Sequence, residues 1–432
     1  MFRFIHTADL HLDSPLKAMR KRNADIADSV GIATRAAFER IVGKAIEERV
    51  DALLISGDLY DGTTKDIRTG IFLADCVRRL SQADVHTVII LGNHDAQSVV
   101  KPPFPTTRLL TVFAAKPDTI RFEAAEVAIH GASFRDRQVP DDMTDRYPAP
   151  IEGWTNIGML HTSLGGFSGH DSYAPTTPDR LADRGYDYWA LGHVHKHQIV
   201  AEQGAGRPWI IYPGIPQGRD MGETGMGRAI LATVTGPNRI EIEAFEVSPI
   251  LLERVSVDLS DARSFSDIEE AVPSMAVAIV DAGPHAHAII RLVLSIPARL
   301  IPIVQNRQDT LWELLQTNVQ ARGPGVAVEK IDCVPTEGDT SPGPALDAGT
   351  LKELLALVEA DAAADPDLVA GLKKDFDGLF SKLPRDLRDD ERIRTPVTGE
   401  TDAGLAAWLD SVTVEAAVAL GGGTAELTER DM

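Results

Sequence analysis

Five short runs of Asp, Asn and His constrain this chain more than any other feature. They are Asp9-Leu10-His11, Gly57-Asp58-Leu59-Tyr60-Asp61, Gly92-Asn93-His94-Asp95, His161 and Gly192-His193-Val194-His195. The apolar runs at 2–6, 52–56, 87–91, 157–160 and 188–191 read as strands, and each motif follows one of them. Helical spacing over 33–50 and 67–80 alternates with the first strands, and further strand-like runs follow at 127–131, 209–212 and 229–234. This alternation predicts a layered α/β domain. In such folds ligand sites lie beyond the carboxyl ends of strands, which is where the motifs sit, so they are placed to converge. One GDxxD or GHxH alone is a weak signal; the ordered set is a strong one. Asp9 and Asp58 supply carboxylates, Asn93 an amide oxygen, and His11, His161, His193 and His195 imidazoles. That mixed oxygen and nitrogen set suits manganese, iron or zinc better than calcium or a structural zinc.

The chain has 432 residues, too many for one ordinary core, and two to three domains are expected. A first domain is expected over 1–250. A second, small α+β domain is expected over 251–335, with strands at 254–259, 288–296 and 326–333 and helices at 264–272 and 310–319. The Pro- and Gly-rich stretch 335–349 reads as a linker, and 350–432 as a helical tail. Apolar stripes at Leu351, Leu354, Leu355 and Val358, and at Leu368, Leu372, Phe376 and Leu379, have helical spacing. They pack either on the protein's own core or on a partner helix; the pattern allows both.

The net charge of −21 is unevenly distributed. Residues 1–250 hold 27 Lys and Arg against 32 Asp and Glu, 251–335 hold 7 against 11, and 336–432 hold 9 against 21. The acidic excess of the last segment argues against phosphate binding there, not in the first domain. No apolar run reaches the roughly 18 residues of a membrane helix, no secretory signal opens the chain, and Cys76 and Cys333 have no metal-like spacing. A reduced, cytoplasmic protein is expected.

The strings HTADLHLDSPL, LISGDLYDG, LGNHDA and ALGHVHKHQ resemble those of the calcineurin-like metallophosphoesterases, and within them the bacterial SbcD and YhaO-type DNA repair exonucleases. YPGIPQGRDMGETGMG, residues 212–227, fits the YhaO type more than the wider superfamily. The resemblance covers about residues 1–230. It implies a layered β-sandwich flanked by helices, followed by a capping or DNA-recognition domain and a helical tail. It implies that Asp9, His11 and His195 hold one metal, that Asn93, His161 and His193 hold a second, and that Asp58 bridges them. The two divalent ions, manganese foremost, would let a shared water attack the phosphodiester as hydroxide. His94 would face the substrate as a catalytic group, with Asp61 orienting it. Asp95 is either structural or an outer support of the site.

What the site acts on is less constrained. Lys17, Arg20, Lys21 and Arg22 either track a DNA backbone or form a solvated helix end. Arg219, Arg135 and Arg137 are further phosphate-contact candidates. His6, His86 and His130 are read as structural, His197 as an outer support, and His285 and His287 as surface residues. The leading expectation is a DNA exonuclease or endonuclease in repair. The alternatives are a small-molecule (cyclic nucleotide or nucleotide) phosphodiesterase, and a weakly active scaffold that binds DNA ends. The resemblance also implies an SMC-like coiled-coil ATPase partner (SbcC/YhaN-like) gripped by the tail, and a homodimer built on an N-terminal helical pair.

Overall fold

The structure is a computed structural model that describes residues 1–14, 32–60, 67–96, 104–136, 139, 141–165, 174–204, 206–236, 239–282, 287–323 and 325–336. The chain divides into two compact units. The first comprises Met1–Val257, Glu270–Val293 and Asp309–Asp332; the second comprises Asp258–Glu269, Leu294–Gln308 and Cys333 onward.

Two six-stranded sheets form the first unit's framework. One is ordered β12-β11-β1-β2-β3-β4 and the other β5-β6-β7-β8-β10-β9. In the first, β1 (Phe2–Thr7), β2 (Ala52–Ser56), β3 (His86–Ile90) and β4 (Leu110–Val112) run parallel. β11 (Arg228–Gly236) joins β1 antiparallel, and β12 (Arg239–Glu246) joins β11. In the second, β6 (Val127–Gly131), β7 (Thr155–His161), β8 (Tyr188–Gly192) and β10 (Trp209–Tyr212) are parallel. β5 (Asp118–Phe122) and β9 (Gln198–Ala201) are antiparallel edges.

The strands β2, β3, β6, β7 and β8 are buried along their whole length, which is why they read as unbroken apolar runs rather than alternating ones. The period of two still sorts their faces. Phe2, Phe4, Ala52, Leu54, Val88 and Ile90 meet Ile129, Ile157, Met159 and Tyr188 between the sheets. Ile5, Leu53, Ile55 and Ile89 face the helices α1 (Ala33–Glu47) and α2 (Ile67–Gln82) through Phe38, Ile41, Leu73 and Val77. On the far side, Leu160, Trp189, Leu191 and Ile210 pack on Phe134, Tyr147 and Leu181. Truncating one such side chain to alanine costs about 2–5 kcal/mol. The layered α/β sandwich flanked by helices is therefore the observed architecture.

A three-stranded sheet follows, ordered β13-β14-β15: β13 (Leu251–Asp258), β14 (Ala288–Ile296) and β15 (Val326–Pro335). The helix expected over 264–272 is two helices, Phe265–Glu270 and Val272–Ala282. Within the first unit, Met221, Ile250, Leu252, Ile289 and Ala327 form one small cluster. Within the second, the Arg307 guanidinium lies over the Phe265 ring, 5.0 Å from its centre, and the Leu259 N–H donates to Ser295 O at 2.8 Å. No helix among the described residues is long and apolar enough to cross a membrane. The stripes of 350–432 lie outside the described residues.

Candidate metal centre

Five parallel strands end at one place. β1 leads to Asp9 and His11, β2 to Asp58, β3 to Asn93, β7 ends in His161, and β8 leads to His193 and His195. The first three belong to one sheet and the last two to the other, so the motifs close the seam between the sheets at its carboxyl-end rim. Main-chain bonds knit the loops. The N–H groups of Asp9 and His11 donate to the carbonyls of Gly57 and Asp58, both at 3.0 Å. Asp9 (φ 53°), His11 (φ 40°), Asp58 (φ 51°) and His193 (φ 98°) all sit at positive φ. Four non-glycine residues held in that region, at roughly 1–3 kcal/mol each, mark a loop set shaped by something other than local preference.

The side chains form two overlapping groups. Asp9, His11 and His195 bring one ligating atom each within 4.8 Å of one another, and so do Asp9, Asp58 and His161. Asp58 Oδ2 lies 3.8 Å from His11 Nε2 and 3.4 Å from His161 Nε2, between the two halves. Asn93 Oδ1 is 2.9 Å from His161 Nε2. The His193 ring stands edge-on to His161 with centroids 5.2 Å apart, and the His193 main-chain N–H donates to both Asp9 oxygens at 3.0 Å. The His94 ring stands edge-on to His11 at 5.0 Å, and its main-chain N–H donates to Asp58 Oδ1 at 3.0 Å.

This centre fits divalent cations. Asp9, His11 and His161 are 0% exposed and Asp58 is 1% exposed, so two carboxylates stand beyond the reach of bulk water. His11 Nε2 and His195 Nε2 face each other at 3.2 Å, and the buried His11 Nδ1 has no hydrogen-bond partner among the described residues. Burial raises the Asp9 carboxyl to about 6, against the pull of His161 and His195. Burial also works against the Asp58 carboxylate, but His161 and then His11 and His94 outweigh it and hold the group well below the usual carboxylate range. Burial disfavours a charged His161, yet Asp58 and Asp9 raise it to about 9. Burial and the Arg219 charge hold His11 well below its ordinary value. A proton on His161 is then the positive charge the carboxylates call for, and a bound metal ion would fill the same need.

Supports surround the cluster. The His161 Nδ1–H donates to Ser56 O at 2.9 Å, leaving Nε2 turned toward Asn93 and Asp58. Gly192 is required there, because a Cβ would overlap Ser56 O and come within 3.0 Å of His161 Nδ1. The His195 Nδ1–H donates to Glu223 Oε1 at 2.6 Å, and Glu223 is forked by Arg219 through its N–H (2.7 Å) and Nη2 (2.7 Å). Burial opposes the Glu223 charge, but these partners hold its pKa well below the usual value. The Asp95 carboxylate accepts from the N–H groups of Leu59 (3.2 Å), Tyr60 (3.1 Å) and Gly92 (3.0 Å), clamping the second motif to the third. Burial and the Asp58 charge raise Asp95 to about 7. Asp13 holds the first loop to the helices by accepting from Arg35 Nε (2.6 Å) and from Thr69.

Glu223 is the support that sequence reasoning missed, whereas Asp95, expected as structural or an outer support, is a clamp on main-chain N–H groups. Glu223 comes from a glycine-rich loop 28 residues beyond His195, with no periodicity to mark it. Arg219, expected as a phosphate contact, is engaged with Glu223. Arg135 is exposed at the wall of a cavity that also carries Lys116 and Arg146. Asp61, Lys17, Arg20, Lys21, Arg22, Arg137 and His285 lie outside the described residues. His6 bonds Tyr188 Oη and Leu191 O, both at 3.0 Å, and pins one sheet to the other. His86 bonds Thr111, His130 bonds Thr119 and Asn156, and the His197 ring bonds Tyr212 O. His287 is exposed.

The family model described as calcineurin-like phosphoesterase matches residues 2–197. The uncharacterized metallophosphoesterase YhaO of Bacillus subtilis is 33% identical over 319 residues, covering 72% of this chain and 77% of that protein. The DNA double-strand break repair protein Mre11 of Sulfurisphaera tokodaii is 26% identical over 224 residues, 48% of this chain and 54% of the relative. Its counterpart from Methanopyrus kandleri is 25% identical over 232 residues, 50% and 49%. The match thus spans about half the length of these two archaeal relatives.

Proposed function

The chain belongs to the calcineurin-like phosphoesterases, hydrolases of phosphoester bonds, and on that premise we propose that it is a two-metal phosphodiesterase that cuts DNA, as an exonuclease or endonuclease in repair. The observation that carries the reading is the position of Asp58 Oδ2 between His11 and His161 in a buried cluster of Asp and His. Asp9, His11 and His195 would hold one ion, Asn93, His161 and His193 the other, and Asp58 would serve both. Two divalent ions there, manganese foremost, supply Lewis acidity for the phosphate oxygens and lower the pKa of water.

The chain's own groups do the rest. Ser56 O and Glu223 fix the His161 and His195 rings with Nε2 turned inward. Asp95 keeps Asp58 and Asn93 in register by holding three N–H groups from their two loops. His94, beside His11 and oriented by Asp61, hands a proton to the leaving oxygen. Arg20 and Arg22 contact DNA phosphates, and Arg219 adds positive charge beside His195 while keeping Glu223 in place.

The DNA part of the reading draws support from the archaeal relatives, whose name is that of double-strand break repair proteins. With it go a nuclease domain over 1–250, a capping domain over 251–335, and a tail over 336–432 that docks an SMC-like coiled-coil ATPase, in a cytoplasmic protein that forms a homodimer. The test is hydrolysis of linear double-stranded DNA and of bis-p-nitrophenyl phosphate by the manganese-treated full chain and its His94→Ala variant. Loss of both activities in the variant, with metal content kept, is expected. Hydrolysis of the small diester alone, even with the ATPase added, would leave the metal centre standing and overturn DNA as the substrate.

A further inference from the structure

A cavity of about 430 Å³ opens beside the metal centre and shares His195 and Glu223 with it. Its size is that of a small-molecule site. Five glycines, at 214, 218, 222, 225 and 227, line it, so main chain makes up much of its wall. The apolar side chains are Pro213, Ile215 and Met226, and the cations are Lys196 and Arg228. Lys196 is exposed and makes no ion pair among the described residues; the carboxylate paired with Arg228, that of Glu246, is 3.7 Å away.

The wall is built in advance. The Ile215 N–H donates to His195 O at 2.8 Å, the Gly225 N–H to Leu252 O at 2.7 Å, and the Gly222 N–H to Asp220 Oδ1 at 2.7 Å. The Gln217 side chain donates to Gly218 O and Ile250 O at 3.0 and 3.1 Å. Gly225 sits at φ +94°, and a Cβ there would meet nothing within 4 Å, so conformation rather than crowding demands glycine at that point. A loop held this way loses little freedom when it is filled.

We infer that this cavity seats the nucleoside next to the scissile phosphate, its base against Ile215 and Met226 and the main-chain wall, with Lys196 and Arg228 on the adjoining phosphate. The inference rests on the phosphodiesterase reading. A phosphate on the cluster would lie near His195, the cluster residue that this cavity shares. A mixed apolar and main-chain wall with cations suits a base joined to an anion; an inorganic phosphate alone would leave the apolar part unfilled.

The experiment is equilibrium titration of 2′-deoxyadenosine 5′-monophosphate and of inorganic phosphate into the manganese-treated full chain. The nucleotide is expected to bind about tenfold or more tightly than phosphate. Thr224→Trp, at an exposed residue of the lining, is expected to remove that preference. Lys196→Ala, which disturbs no packing, is expected to weaken nucleotide binding about three- to tenfold. Equal affinity for the two anions in the wild type would overturn the inference, as would a preference that survives Thr224→Trp or nucleotide affinity unchanged by Lys196→Ala. Failure of the phosphodiesterase reading would appear separately, as wild-type protein with no hydrolysis of bis-p-nitrophenyl phosphate.

Discussion

Replacing Glu223 tests whether the loop over residues 213–227 sets the metal affinity of one half of the centre. The carboxylate accepts from His195 Nδ1 at 2.6 Å and from Arg219 through its N–H and Nη2, both at 2.7 Å. Glu223→Ala removes the acceptor that fixes the His195 ring and leaves the Arg219 guanidinium, 19% exposed, without this carboxylate. Losing an outer partner of a ligating histidine costs about 10–100-fold in metal affinity, or roughly 1.4–2.7 kcal/mol. Glu223→Gln keeps an acceptor but loses the charge and belongs at the lower end. His195 groups with Asp9 and His11, whereas His161 is held separately by Ser56. A two-site manganese titration should therefore show one affinity weakened by that factor and the other nearly unchanged. Two unchanged affinities, or two equally weakened ones, would refute the reasoning.

Other perturbations follow from the same geometry. Gly192→Ala places a methyl group on Ser56 O and beside His161 Nδ1, so thermal stability should fall by about 1–3 kcal/mol, as for an overpacked core; an unchanged melting temperature would contradict the close approach. Burial lowers His6 to about 3, so the unfolded chain takes up its proton first as pH falls. Its contribution is intact above 6.5 and is lost progressively from there down to 3, with about 2 kcal/mol gone by pH 5 at 1.36 kcal/mol per unit. Denaturation of wild type and His6→Gln in chelator should show a flatter dependence between pH 6.5 and 5 in the variant; parallel curves would exclude His6 as a source of the acid lability.

Much of the centre was legible because its ligands lie at strand ends, where a short motif and the preceding apolar run specify one another. Asp9-x-His11, Asp58, Asn93 and His161 all stand within four residues of a strand's final residue, and the sheets bring those ends together. Glu223 and Asp13 were not legible in the same way. Each matters only because chain closure over 28 residues to His195, or over 22 to Arg35, brings it to its partner. Asp95 was visible as a residue but not as a clamp, since its partners are main-chain N–H groups that carry no side-chain signature. In the fold, Val272–Ala282 was missed as a helix: Val272, Val277, Ile279 and Val280 are β-branched, and its mainly apolar run lacks a clear polar face. The edge strand Arg239–Glu246 was not among the expected strands, although it alternates polar and apolar residues; most of its residues are exposed, so no apolar run marks it.

The claim at the centre of this account is that two ions are held side by side on Asp58. Anomalous diffraction from crystals grown with manganese tests it most directly. The account predicts two peaks about 3.5–4 Å apart, one against Asp9, His11 and His195, the other against Asn93, His161 and His193, with Asp58 between them. A single peak, or manganese bound elsewhere with the cluster empty, would contradict it.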